Sequence, residues 1–258
     1  DKSGVGLDPS RVRVVVMASR TDGPHSVFED ARAKYADDEH FIFIYNEHPR
    51  ATPTPTPVVE PPKKFYSPPR LRVRQQTLDV IELMRQARHM WPSTSTSFAD
   101  ADGLAERHVV FVEDDSVLCA FGLSAVYHAV RRGEQMQHGH ERMTGLRMSY
   151  GMNGIAMPAA DLSEFGAFLT RNQFEAPVDL MLMEWWAGKY HSEAFIGTRP
   201  FMRYRFNLFQ HIGDVSTFED RKRRKTPGCF QPYEQMLWPM EKWDAKRCGS
   251  LDVSPCIH

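Results

Sequence analysis

Three consecutive acidic residues are the strongest chemical feature of the sequence. Glu113, Asp114 and Asp115 directly follow the apolar run at 109–112, which has the composition of a buried strand. Carboxylates gathered at the end of such a strand repel one another and lose hydration, so a compensating charge is required. Oxygen ligands of this type suit Mg²⁺ or Mn²⁺, which also bind phosphate oxygens. The triplet therefore indicates a divalent-cation site, with a solvated acidic turn or the N-cap of the following helix as the alternative.

The elements that must position this triplet alternate along the chain. Apolar patterns predict strands at 11–18, 40–46, 109–112, 145–150, 154–157 and 201–209, and helices at 26–35, 73–91, 118–131, 160–170 and 178–190. This alternation predicts a layered α/β fold, in which ligands collect at the carboxyl ends of the strands. Both the polar loop at 18–22 and the acidic triplet follow such ends.

Composition restricts the class of protein. The chain has 258 residues with 41% hydrophobic and 25% charged residues, which is ordinary for one large globular domain. Its formal net charge of -1 lacks the basic surplus of a general nucleic-acid binder, so we expect no nucleic acid as partner. No apolar run approaches the ~18 residues of a membrane span. We expect an anchoring or targeting segment, if the protein has one, to precede the sequence at hand.

Two regions lie outside the main pattern. Residues 49–70 contain eight prolines and predict an extended surface loop. Residues 219–258 carry the basic run at 221–225 and three of the four cysteines. We expect a domain over 8–218 with this tail packed on it.

The cysteines favour two separate environments. The four of them include no CxxC pair, which argues against a structural zinc site. A disulfide within the tail, among Cys229, Cys248 and Cys256, is left open and would imply an oxidising compartment. Cys119 lies in an apolar run and is expected to be a buried small hydrophobic residue.

Several blocks of the sequence resemble one enzyme family. VVFVEDDSVLCAFGLSAV at 109–126 resembles the donor-site strand and helix of GT-A glycosyltransferases. Together with RVRQQTLDVIELM from residue 72, the stretch at 144–157, Pro-Val-Asp at 177–179 and RYRFNLFQHIGDVSTF from residue 203, it resembles the N-acetylglucosaminyltransferase IV family and its relative, the GPI-mannose N-acetylgalactosaminyltransferase. The likeness covers roughly 72–218. It departs from the family at Met183, where the family has a second Asp.

The resemblance implies a fold, a reaction and a location. It implies a single GT-A-type domain with a Rossmann-like mixed sheet flanked by helices. It also implies a metal-dependent inverting transfer of GlcNAc or GalNAc from a UDP-sugar to a mannose-containing glycan acceptor. The implied cofactor is Mn²⁺ (or Mg²⁺), and the implied location is the Golgi lumen or secretory pathway.

Metal and nucleotide roles follow for the residues of the matching blocks. Asp115 is the first expected metal ligand, and His211 is a second ligand or a hydrogen-bond donor to the diphosphate. Glu113 and Asp114 are expected to contact the ribose and donor sugar, or to support the metal through water. Further donor contacts are expected from residues after the first strand, Ser19, Arg20 and Thr21, and from the helix residues Arg74, Gln76 and Asp79. For these last three the alternative is the polar face of an amphipathic helix.

An inverting transfer also requires a base for the acceptor hydroxyl. Asp179 is the expected base, with Glu184 in reserve, and a simple helix N-cap is the alternative for Asp179. Two other classes of protein fit the same residues. One is a metal-dependent phosphohydrolase acting on nucleotide sugars, and the other is a non-catalytic carbohydrate-binding protein.

Overall fold

The computed structural model describes residues 12–19, 25–46, 71–90, 107–135, 143–186, 201–213, 227–232 and 253–254. Within these ranges the strands are β1 (Val14–Ser19), β2 (Phe41–Asn46), β3 (His108–Phe111), β4 (Ser116–Leu118), β5 (Gly145–Arg147), β6 (Ile155–Pro158), β7 (Phe201–Tyr204), β8 (Phe209–His211) and β9 (Val253–Ser254). The helices are α1 (Ser26–Lys34), α2 (Leu71–Met90), α3 (Gly122–Gln135), α4 (Leu162–Asn172) and α5 (Val178–Trp186), with one 3₁₀ turn at Ala159–Asp161.

The described strands form three sheets. The largest has the order β3-β6-β5-β7-β9, in which β5 and β7 are parallel and the other neighbours are antiparallel. A second sheet is the parallel pair β1–β2, and the third is the antiparallel pair β4–β8. The protein is therefore a mixed α/β fold with a mixed central sheet, as the alternating pattern predicts.

The central sheet separates two apolar clusters. Every residue of β6 is buried, because the strand is covered on both faces and so lacks a solvent side. On one face α2, α4 and α5 contribute a cluster that includes Met84, Phe165 and Trp185. On the other face α3 buries Val126, Ala129 and Val130, whose spacing of three and four residues forms one helical stripe. Each large side chain buried this way contributes roughly 1.5–3 kcal/mol.

Helix α5 packs against the neighbouring strands β5 and β7 through its last residue, Trp186. The ring of Trp186 stacks on Phe201 with centroids 4.2 Å apart. The same ring lies so close to Gly145 that a Cβ at this position would overlap it. This contact fixes the end of α5 against the amino-terminal ends of the parallel strands β5 and β7.

The pairing of β4 with β8 changes two sequence predictions. Leu118, the predicted first residue of a helix, ends strand β4 instead, because 116–118 pairs with 209–211, and α3 starts only at Gly122. For the same reason the strand predicted over 201–209 is two strands, β7 and β8, which belong to different sheets.

A disulfide joins Cys119 to Cys229, with 5.6 Å between the Cα atoms. Cys119 is buried, as expected, but it is one half of a disulfide rather than only a small hydrophobic residue. The reason is long-range: the N–H of Cys119 donates to Leu208 O, and the N–H of Asn207 donates to Gln231 O, so the segment at 227–232 lies beside the end of β4. Cys248 and Cys256 lie outside the described residues.

Two described segments after residue 218 pair with earlier parts of the chain. Strand β9 pairs with β7, and Phe206 forms an isolated bridge with Pro232. The proline-rich segment at 49–70 and the basic run at 221–225 are outside the described residues. Among the described helices, none combines the length and apolar character needed to cross a membrane.

Candidate metal centre and active site

The acidic triplet forms the connection between β3 and β4. Because Ser116 of β4 is opposite His211 of β8, the residues on either side of this pair are brought together. The N–H of Ile212 donates to Asp115 O at 2.8 Å, and His211 Nε2 lies 2.9 Å from Asp115 Oδ2. Two side chains separated by 96 positions in the chain thus meet through one short strand pair.

Glu113 completes a group of three metal-ligating side chains with Asp115 and His211. One ligand atom from each lies within 4.8 Å of the other two. One imidazole nitrogen and two carboxylate oxygens suit Mn²⁺ or a similar first-row cation. The His211 side chain is 5% exposed and that of Asp115 is 30% exposed, so the group is open to solvent on the side of Asp115.

The group agrees in part with the roles expected from the sequence. Asp115 and His211 are together, as expected for metal ligands. Glu113 belongs to the same group, whereas it was expected to contact the ribose and donor sugar or to support the metal through water. The signal in the sequence was the acidic triplet itself, because Glu113 and Asp115 belong to one short connection between two strands. Asp114 lies between them in the described turn and is not a member of the group.

Two amides orient the carboxylate of Glu113. Gln76 Nε2 on α2 donates to Glu113 Oε1 at 3.2 Å, and Asn153 Nδ2 donates to Glu113 Oε2 at 2.8 Å. The N–H of Glu113 in turn donates to Asn153 Oδ1 at 2.7 Å. Hydrogen bonds of this kind fix the direction of a ligand and tune its affinity for a metal. Sequence reasoning missed Asn153, whose signal is its position in a glycine-flanked turn.

Glycines allow the backbone to approach the group closely. The turn at 148–154 joins β5 to β6 and contains Gly151 and Gly154, both with positive φ. A Cβ on Gly151 would lie 3.3 Å from Glu113 Oε2. At Gly213 a Cβ would lie 2.6 Å from Asp115 Oδ2 and 2.9 Å from His211 Cε1. A side chain at Gly213 would therefore displace two members of the metal-ligating group.

The other residues expected to bind the UDP-sugar donor lie in separate parts of the structure. Ser19 is opposite Asn46 at the end of the β1–β2 pair, and Asn46 Nδ2 donates to Asp79 Oδ1. Asp79 also accepts from Gln75 at 3.1 Å. These residues form a polar edge one helical turn along α2 from Gln76, which contacts Glu113. Arg20 and Thr21 follow Ser19 but lie outside the described residues.

Arg74 lies against an aromatic ring rather than beside the acidic residues. Its guanidinium lies 3.8 Å from the ring centroid of Phe174, and the residue is 2% exposed. Burial lowers the pKa of Arg74. Positions 74 and 76 are about 200° apart around a helix, so the two side chains leave α2 in nearly opposite directions. The structure therefore brings Gln76 to the acidic residues and places Arg74 against an aromatic ring.

Asp179 lies in the first turn of α5 and is half-buried. Its Oδ1 accepts from the N–H of Leu180 at 2.9 Å. Burial raises the pKa of Asp179, and this effect outweighs the hydrogen bond from Leu180 and the positive charge of Arg147, which both lower it. A carboxylate whose pKa is raised holds a proton more strongly, which is a property of a general base. Glu184 is five residues further, roughly 140° around the helix, and so faces a different direction.

Arg147 connects the turn at 148–154 to α5. Its Nε donates to Ser149 O at 2.9 Å and its Nη2 donates to Gly151 O at 3.2 Å. Its Nη1 lies 3.2 Å from the sulfur of Met183, and the residue is 5% exposed. Sequence reasoning did not single out Arg147, because an arginine in a short strand carries no local signal of burial.

Comparison with known proteins identified no similar protein. The chain matches no family model, no curated protein and no solved structure. The geometry of the site itself therefore carries the argument about function.

Proposed function

We propose that this protein is a metal-dependent inverting glycosyltransferase with a GT-A-type domain. It transfers GlcNAc or GalNAc from a UDP-sugar to a mannose-containing glycan. The observation that carries the proposal is the group of Glu113, Asp115 and His211, within 4.8 Å of one another, with Asp179 on the helix that Arg147 links to the same turn. The sequence blocks that resemble this family contain all four residues of the proposed chemistry.

The metal-ligating group has the composition for a Mn²⁺ (or Mg²⁺) ion. Asp115 and His211 would hold the ion directly, and Glu113, oriented by Gln76 and Asn153, would complete the set. The ion would supply positive charge to the diphosphate leaving group, where negative charge grows in the transition state.

The transfer itself is a single displacement. The acceptor hydroxyl oxygen forms a bond to the anomeric carbon while the bond from that carbon to the diphosphate oxygen breaks, and UDP leaves with the electron pair. Asp179 takes the proton of the hydroxyl. The raised pKa of Asp179 suits this step, because a stronger base takes up more of the proton in the transition state.

The polar edge of β1 and β2 is the proposed nucleoside site. Ser19, Asn46 and Asp79 offer hydroxyl, amide and carboxylate groups that can bond to ribose and uracil. The edge is formed by the carboxyl ends of parallel strands, where nucleotides bind in α/β folds.

The disulfide supports a location in the secretory pathway. A bond between Cys119 and Cys229 persists in oxidising compartments and is rare in the cytosol. We therefore propose that the protein acts in the Golgi lumen or a neighbouring compartment.

Release of UDP from a panel of UDP-sugars tests the proposal. The reaction is run with Mn²⁺ and with EDTA, first without acceptor and then with a mixture of mannose-terminated glycans. Metal-dependent release from one donor, increased by the acceptor, supports the transferase and identifies its sugar. Equal release without acceptor indicates a nucleotide-sugar phosphohydrolase. If no release and no metal-dependent UDP binding occur, a non-catalytic carbohydrate-binding protein replaces the proposal.

A further inference from the structure

We propose that Arg147 is a positioning residue that holds Asp179 and the metal-ligating group in one fixed arrangement. The inference rests on the proposed role of Asp179 as base. It goes beyond that proposal by giving a role to Arg147, a buried cation on β5.

The first contact of Arg147 is with the turn that orients Glu113. Two of its N–H groups donate to the carbonyl oxygens of Ser149 and Gly151. The same turn carries Asn153, which exchanges two hydrogen bonds with Glu113. A charged donor shared by two carbonyls holds a turn more firmly than neutral donors do. The position of Glu113 therefore depends on Arg147 through one short segment.

The second contact is with the helix that carries Asp179. Nη1 of Arg147 lies against Met183, which is four residues after Asp179 and so lies beside it on the same face of α5. A thioether is a weak acceptor, so this contact adds packing rather than a second anion. The guanidinium thus contacts a residue one helical turn from Asp179, and its positive charge attracts the Asp179 carboxylate.

The other charged side chains on the elements near Asp179 contact other residues or are exposed to solvent. On α2, Arg74 lies on Phe174, and Glu82 bonds to Arg85 at 2.6 and 2.7 Å. On α4, Glu164 and Arg171 are exposed. Glu184 leaves α5 on a different side. Among the described groups, Arg147 is the charge that acts on Asp179.

The neighbouring strand provides a matched control. Arg203 of β7 is directly opposite Arg147 in register and is equally buried, at 5% exposed. It carries the same charge on the same face of the sheet, while the hydrogen bonds to Ser149 and Gly151 come from Arg147. Arg203→Met therefore removes a buried cation from the same region without removing the contacts that the proposal needs.

The decisive measurement is the pKa of Asp179, followed by carbon-13 NMR of labelled aspartate carboxyl groups and assigned with Asp179→Asn. Arg147→Met is expected to raise this pKa by about one pH unit, the lower end of the effect of a nearby opposite charge. Arg203→Met should raise it less. An equal rise in both variants, or no rise in Arg147→Met, overturns the inference.

Arg147→Lys separates position from charge and also covers the case in which Arg147→Met does not fold. Lysine keeps the charge but cannot bridge two carbonyls and Met183 with one planar group. We expect the pKa of Asp179 to stay near the wild-type value while Mn²⁺ affinity, measured by electron paramagnetic resonance of free Mn²⁺, falls about tenfold. Unchanged Mn²⁺ affinity in this variant contradicts the positioning role.

The pKa of Asp179 and the affinity for Mn²⁺ can both be measured without any sugar transfer. If the wild-type protein transfers no sugar but Arg147→Met still shifts the pKa of Asp179, the proposed function fails and the link between the two sites stands. If transfer occurs and neither readout moves, the transferase stands and the role of Arg147 is wrong.

Discussion

The metal-ligating group at the end of β3 and Asp179 on α5 are both carboxylate sites, yet their neighbours differ. Glu113 and Asp115 lie together with His211, and Asp115 remains partly open to solvent. Asp179 is half-buried near the positive charge of Arg147. In the first region two carboxylates and an imidazole offer ligand atoms within 4.8 Å of one another, a set that can bind a cation. In the second region burial raises the pKa of one carboxyl group.

The difference shows how one residue type can serve two purposes. Gathered carboxylates repel one another, and a divalent cation relieves that repulsion. A carboxylate that burial destabilises is a stronger base, and it gains by taking a proton from a substrate. The following predictions separate the two regions, and they run from the largest expected effect to the smallest.

Asp179→Asn is expected to lower acceptor-dependent turnover by about 10²–10⁴-fold, because the amide cannot accept the proton of the hydroxyl. UDP and Mn²⁺ binding should be retained, since Asp179 is not part of the metal-ligating group. Steady-state turnover with parallel UDP titrations checks both parts. Glu184→Gln is the control, and a comparable loss in that variant would transfer the role of base to Glu184.

Asp115→Ala is expected to weaken Mn²⁺ binding by more than about 100-fold, because it removes a ligand rather than a supporting contact. Asp114→Ala is the matched control, since Asp114 is adjacent in the chain and lies outside the group. Free Mn²⁺ is measured by electron paramagnetic resonance. Retained affinity in Asp115→Ala would remove the metal site from this part of the molecule.

Gly213→Ala is expected to reduce Mn²⁺ affinity by about tenfold, because the new Cβ overlaps Asp115 and His211 and displaces both. Gly228→Ala serves as the control, since its nearest neighbours are Gln231 side-chain atoms at 3.4–3.5 Å. The pKa of Asp179 should be the same in both variants. A shift of that pKa in Gly213→Ala would show that the two regions are coupled by a second route.

Asp179→Asn is also expected to stabilise the protein at neutral pH by roughly 1 kcal/mol, because it removes the penalty for burying the charge. The pKa of Asp179 in the folded protein is raised from its usual value of 3.8, so the native state binds a proton over the window above that value. Wild-type stability therefore falls as the pH rises through that window, and the advantage of the variant disappears below it. Urea unfolding of both proteins at pH 3 and pH 7 measures the difference, and an equal difference at both pH values contradicts the prediction.

Local features of the sequence were sufficient for the elements and for part of the site. Apolar spacing predicted α2, α4 and α5 close to their observed positions, because amphipathic helices are encoded within a few turns. The position of Asp115 after an apolar strand, and the resemblance of the block around His211, selected both as candidate ligands, and the structure places their side chains in one group. The disulfide and the strand pairing at 116–118 were missed, because each depends on a partner about a hundred residues away.

The sequence by itself determined the positions of most strands and helices and which acidic residues follow a strand, since both depend on neighbouring side chains. Tertiary structure decided that Glu113 joins Asp115 and His211, that Asn153 and Gln76 orient it, and that Arg147 lies between the turn and α5. These contacts depend on the register of β4 with β8 and on the packing of α5 against β5. Register and packing are properties of the whole core, because a strand or helix can bury its apolar face only against the surfaces that the rest of the chain provides.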